Sequence, residues 1–166
     1  MRPGLSLESY LLVLDFFQRF YEQLQPALYK ALRQFDCDYP LGDRLAWLDA
    51  DLKALGHANS LPALGMEPLS LTRPAQWVGC LYVVEGSTLG GQVIARQLRA
   101  LLGLDATHGA RFFHGWGEET DTHWGDFWRF AGVHCPSDHY ELAISSALDL
   151  FARIEEALET IHASRR

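Results

Sequence analysis

The segment Tyr82-Val83-Val84-Glu85-Gly86-Ser87-Thr88-Leu89-Gly90-Gly91-Gln92-Val93 places three glycines inside a run that otherwise reads as the interior of a long buried helix. Each glycine costs roughly 1 kcal/mol against alanine in such a setting, so about 3 kcal/mol must be offset by packing or by a ligand. Gly79 stands seven residues before Gly86, and Gly90 four after it, so the three share one helical face. That face is a strip of bare backbone. A flat or bulky molecule can approach it more closely than side chains would allow, and the exposed peptide groups can bend to meet it. The same pattern also serves close helix–helix packing with no ligand at all. Ser87 and Thr88 add no nucleophile, because no histidine or acid stands where it would activate them and no sharp elbow turn surrounds them.

The other residues able to hold a ligand are histidines and cysteines. His108, His114, His123, His134 and His139 lie together in the sequence. None forms an i, i+4 pair backed by a carboxylate as a HExxH zinc site does, so they read as separate residues and no metal ligand is assigned. His57 and His162 read as solvent-facing. Cys37, Cys80 and Cys135 have neither CxxC spacing nor an even count, which argues against a disulfide framework or zinc knuckle and for a reducing cytoplasm. With 14 basic against 21 acidic residues the formal charge is -7, which disfavours nucleic acid and anionic membranes as partners. The apolar N-terminal run is interrupted by Glu8 and Asp15, so it reads as neither signal peptide nor membrane span.

Helices are the elements that must position these groups. Ser6 is a plausible N-cap for an amphipathic helix carrying Leu7, Leu11, Leu14, Phe17, Phe20, Tyr21 and Leu24, which Pro26 either kinks or separates from a second piece ending near Phe35. Asp36 to Gly42 reads as a loop, and Arg44 to Leu55 as a second helix closed by Gly56. After a loop from His57 to Leu71, Thr72 is expected to cap the glycine-bearing helix, with Pro74 in its first turn and Gly103 at its end. Asp105 to Glu119 reads as an ordered loop, followed by a short helix from about Thr122 to Ala131. Asp138 and Glu141 form a capping-box pattern before a last helix carrying Leu142, Ile144, Ala147, Leu148, Phe151, Ile154 and Leu158. At 166 residues, 48% of them hydrophobic, the expectation is one all-α domain spanning 1–166.

Three segments resemble the heme oxygenases, and within them the bacterial branch associated with bacteriophytochromes. They are Glu85 to Val93, Asp51-Leu52-Lys53-Ala54-Leu55-Gly56, and Phe112-Phe113-His114-Gly115-Trp116-Gly117 followed by Thr120 and Trp124. The resemblance implies a single-domain heme oxygenase-like helical bundle in which the glycine segment is the distal helix lying over one face of heme. Gly86 and Gly90 then stand for the two distal glycines, with Gly91 beside them, and Ser87 occupies the site where animal members place an aspartate. Gly86, Ser87 and Gly90 are thereby implied as catalytic. Arg129 resembles the basic residue that meets a heme propionate, and Phe151 an aromatic facing the pocket, although aromatics at that spacing are also ordinary core. The implied reaction opens the heme ring, with heme as both substrate and cofactor, to give biliverdin, carbon monoxide and ferrous iron. Its electrons come from an external donor such as a reductase.

The same resemblance implies a proximal histidine on a helix ahead of the segment Leu5-Ser6-Leu7-Glu8-Ser9-Tyr10. Only Met1 to Gly4 precede that segment, and the first histidine is His57. The expectation is that the first family helix and its iron ligand are absent, through a shortened chain, an upstream start or natural loss. His134 with Cys135 is the best-placed pair for a substitute heme contact. An apolar face should then be left uncovered on the first amphipathic helix, inviting a homodimer or another partner. The alternative function is a non-catalytic heme oxygenase-like protein acting by self-association or partner binding.

Overall fold

The computed structural model describes residues 5–164. Within them the chain is helical and contains no strand, only two isolated bridges that pair Asp105 with His108 and with Gly109.

Helix α1 (Leu7–Gln34) starts where expected. Ser6 and Ser9 cap reciprocally, the Ser9 N–H reaching Ser6 Oγ at 3.1 Å and the Ser6 N–H reaching Ser9 Oγ at 3.0 Å. Pro26 is carried inside one unbroken helix rather than dividing it. Its neighbours Leu24 and Leu28 are buried, so tertiary packing outweighs the missing N–H. Helix α2 (Arg44–Ala54) is capped by Asp43, whose side chain accepts from the Ala46 N–H at 3.0 Å. Gly56 follows with a positive φ of 62°, as a C-terminal glycine should.

The glycine-bearing helix is α3 (Pro74–Leu102), 29 residues long and central to the fold. Its cap residue is Arg73 rather than Thr72. Gln76 explains the shift by folding back to accept the N–H groups of both Thr72 and Arg73 at 3.0 Å. Gly103 ends the helix in the left-handed conformation. Neighbours on several sides cover α3, with its longest contact against the last helix, so it carries buried residues such as Trp77, Leu81, Val84 and Leu98 around much of its circumference. By length and composition α3 would also cross a membrane, but half of its most apolar window is buried inside the fold.

The expected loop from Asp105 to Glu119 contains a one-turn helix, α4 (Arg111–His114), and a 3₁₀ turn at Gly117–Glu119. The turn exists because Asp51, far away on α2, accepts the N–H groups of Arg111 and Phe112 at 2.7 and 2.8 Å. A cap supplied from another helix leaves no local sequence signal. Helix α5 (Thr120–His134) is longer at both ends than the stretch read from the sequence. A 3₁₀ turn at Ser137–His139 leads directly into α6 (Tyr140–Ser164), standing where the capping box was expected.

His57 does not face solvent freely. Its Nε2 meets the two carboxylate oxygens of Asp15 at 2.9 and 3.1 Å, and Ser60 Oγ donates to the same carboxylate at 3.0 Å. Asn59 Nδ2 donates to Asp15 O and Arg19 Nε to Leu61 O, which staples the long loop to α1. The exposed apolar side chains gather mainly on α3, α5 and α6, with only Leu7 and Val13 from α1. Among the described residues the larger uncovered apolar surface is therefore on α3, α5 and α6 rather than on the first helix, where Leu7 and Val13 are exposed.

Candidate functional site

An open apolar groove of about 690 Å³ runs between α3, α5 and α6. Small residues contribute to its lining: Gly79 on α3, Ala131 and Gly132 on α5, Ala143 and Ala147 on α6. Larger side chains form its walls, with Tyr82 and Trp128 on one side and Tyr140, Ile144, Leu148 and Phe151 on the other. Tyr82 belongs to an aromatic cluster, its ring 5.7 Å from Trp124 and 6.0 Å from Trp128, while Trp124 stacks on Phe127 at 5.2 Å. Offset and edge contacts of this kind hold the rings rigid against one another.

The glycines of α3 serve different purposes. A Cβ on Gly79 would overlap the backbone carbonyl of Ala143, so this glycine lets α6 press against α3. A Cβ on Gly91 would come within 2.9 Å of Phe113 O, so that glycine seats α4. Gly86 faces the Trp124 ring at 3.5 Å, an ordinary contact, and Gly90 faces open space. Of the strip read from the sequence, Gly79 is used for helix packing, Gly86 is covered by an indole and Gly90 alone is bare. Ser87 Oγ donates to Val84 O at 2.7 Å and Thr88 Oγ1 to Glu85 O at 2.6 Å, so both hydroxyls satisfy the helix backbone.

A buried ion pair lies beneath this segment and was missed in the sequence. Arg44 Nη2 of α2 stands 3.3 Å from Glu85 Oε1, with the two side chains only 3% and 1% exposed. Arg44 Nη1 donates to Gly42 O at 3.2 Å, and Trp116 Nε1 donates to Glu85 Oε2 at 3.3 Å. Burial pushes the Tyr21 phenol well up, while the Arg44 charge and the Ser87 hydroxyl pull it partly back against the opposing Glu85 charge. Tyr21 thus ties α1 to the same polar core. An acid inside the apolar run Leu81–Leu89 was the available signal, since a carboxylate at a core-facing position needs a partner.

Phe151 lines the groove, whereas Arg129 does not and is largely exposed, its guanidinium bonded to Asp126. The histidines lie elsewhere. His123 stacks on Trp116 at 3.7 Å, His139 Nε2 meets Arg73 Nη2 at 2.9 Å, and His57 holds Asp15. His134 stacks on Phe130 at 4.2 Å, its Nδ1 being 3.6 Å from Cys37 Sγ. Cys135 reaches the groove, but burial and then Asp138 push its thiol up, which disfavours the thiolate. Among the described residues no group of three or more histidine, cysteine or acidic side chains is placed to hold a metal ion.

No family model matches the sequence, and no curated protein matches it. Among solved structures the chain is similar to the heme oxygenase of Neisseria meningitidis, determined with NO and CO bound. The likeness has a TM-score of 0.75 at 21% identity and covers 96% of this chain and 79% of that one. The fold is therefore the all-helical heme oxygenase fold. Tested against the groove, a flat apolar macrocycle finds a suitable lining, since ligand pockets span roughly 300–1,000 Å³ and are lined mainly by apolar and aromatic groups. Its iron finds no imidazole among the lining residues. The ring fits and the metal does not.

Proposed function

We propose that the chain binds heme against α3 in the groove closed by α5 and α6. The reaction it would support is oxidative opening of the ring to biliverdin, carbon monoxide and ferrous iron, with dioxygen as the oxidant and electrons from an external reductase. The observation that carries this reading is an apolar, aromatic-walled groove on the same helix as Gly86 and Gly90 in a heme oxygenase fold. Phe151 is assigned to the pocket wall, whereas Gly86, Ser87 and Gly90 lie further along α3 than the residues lining the groove and Gly91 is covered by Phe113, so of the glycine segment only the bare Gly90 is left open to a ligand that extends beyond the groove. Arg129 would have to leave Asp126 to reach a propionate. The resemblance of the three motifs supports placing the chain in the bacteriophytochrome-associated branch. Free cysteines suit a cytoplasmic protein. Self-association would cover apolar side chains outside the groove, such as Leu7, Val13 and Leu101.

The test is a hemin titration followed by visible absorption, then addition of reductant under air with and without free imidazole. A stoichiometric Soret band that decays to a biliverdin spectrum supports the whole proposal. A band that persists under both conditions leaves a heme-binding protein without the activity, and no specific band refutes the reading altogether.

A further inference from the structure

We propose that the groove recognises the tetrapyrrole ring and not the metal at its centre, an inference that rests on the groove being the ligand site. The side chains facing the groove make surfaces rather than ligands. The close α3–α6 contact at Gly79 and Ala143, with Ala131 and Ala147 beside it, leaves only small side chains along the bottom of the groove, so a planar molecule meets no protruding group there. Tyr82 and Trp128 offer ring faces and edges held by the aromatic cluster, and Phe151 stands opposite. Stacking and dispersion contacts depend on the area and polarity of the macrocycle, which are nearly the same with and without iron.

Contacts to the metal would have to come from heteroatoms, and the groove supplies few. Trp128 has only an indole N–H, which donates and cannot ligate. Cys135 lies in the wall with its Sγ 3.8 Å from His139 O, a thiol already turned to a backbone carbonyl. Tyr82 packs its ring on Trp124, Phe127 and Trp128 while staying 42% exposed, Tyr140 is more than half exposed, and no basic side chain lines the groove to draw off either phenolic proton. His134 and His139, the nearest imidazoles in sequence, are engaged with Phe130 and Arg73. Affinity must therefore come from the ring, and the groove should take metal-free protoporphyrin or a comparable flat tetrapyrrole as well as hemin.

The experiment compares hemin with metal-free protoporphyrin IX by quenching of tryptophan fluorescence, checked by absorption for the first and porphyrin emission for the second. The two dissociation constants should agree within about threefold. The groove is addressed with Ile144→Asp and Leu148→Asp, which place carboxylates on rim positions that are 59% and 62% exposed and so leave the core intact. Each should weaken both ligands by at least about tenfold, whereas Val133→Asp, at a still more exposed position outside the groove, should change neither. Hemin binding more than about thirtyfold tighter than the metal-free ring would show an iron ligand and overturn the inference while leaving heme binding intact. Equal binding insensitive to both rim substitutions would overturn it by moving the site. Failure of both ligands to bind would remove the heme reading and this inference together.

Discussion

Replacing Glu85 with alanine would leave the Arg44 guanidinium charged, 3% exposed and facing an apolar space. It would also strip Trp116 Nε1 of its acceptor. Breaking one side of a buried pair costs about 3–5 kcal/mol, most of it the penalty of the stranded charge. Against the roughly 5–15 kcal/mol that holds a domain of this kind together, this is a large share. At about 2–4 °C per kcal/mol, the expected fall in Tm is on the order of 6–20 °C. The assay is urea unfolding followed by far-UV circular dichroism, fitted for midpoint and slope, for Glu85→Ala, Arg44→Met and the double variant Arg44→Met/Glu85→Leu. Removing both charges together and refilling the volume should recover most of the loss, to within about 1.5 kcal/mol of the parent chain, because the pair offsets its own desolvation and little more. A single substitution costing less than about 1 kcal/mol, or a double variant as unstable as the sum of the singles, would refute the reasoning.

The glycines of α3 should separate in the same assay. Gly79→Ala forces its Cβ into the Ala143 carbonyl and should lower the unfolding midpoint markedly, whereas Gly90→Ala meets nothing and should raise stability by roughly 0.5–1 kcal/mol through its helix preference. If Gly90→Ala also weakens hemin binding, the bare position is shown to lie under the ligand. Cys80 is fully buried, and burial pushes its thiol from the ordinary 9.0 up to about 12. It should resist a thiol-specific disulfide reagent at pH 8 in the folded chain and react once urea is added. Because the folded value is raised, its contribution to stability is complete below pH 9 and is lost as pH climbs from there towards 12. The urea midpoint should accordingly fall over that interval, and by less in Cys80→Ala.

How much of this was legible in the sequence follows from where each signal is stored. α1, α2, α3 and α6 announce themselves through apolar residues at three- and four-residue spacing, and Ser6 and Gly103 mark ends by local chemistry that the structure reproduces. Pro26 was ambiguous because its effect depends on the packing of Leu24 and Leu28 and not on the proline itself. α4 was unreadable, since its cap is Asp51. His57 was misread for the same reason, its partner Asp15 lying 42 residues earlier. Within the candidate site the glycine pattern was visible, but its division of labour was not. Spacing places Gly79, Gly86 and Gly90 on one face, and only the neighbouring helices decide that the first is filled by α6 and the second by Trp124. The groove is a three-helix feature, so Ala131, Ala143 and Ala147 carry no sign of it along the chain.

The cap that Asp51 provides to α4 also bears on the order in which the molecule assembles. A single helical turn cannot nucleate alone, because fixing its first residues costs more than its hydrogen bonds return. The N–H groups of Arg111 and Phe112 find their acceptor 60 and 61 residues back along the chain, so α4 must wait until α2 has docked. Gly91 on α3 and Gly115 beside Thr88 are packed by this same turn. The glycine segment at Gly91 is thus supported by α2 through α4, and loosening of α2 should show as faster amide exchange at Arg111 and Phe112.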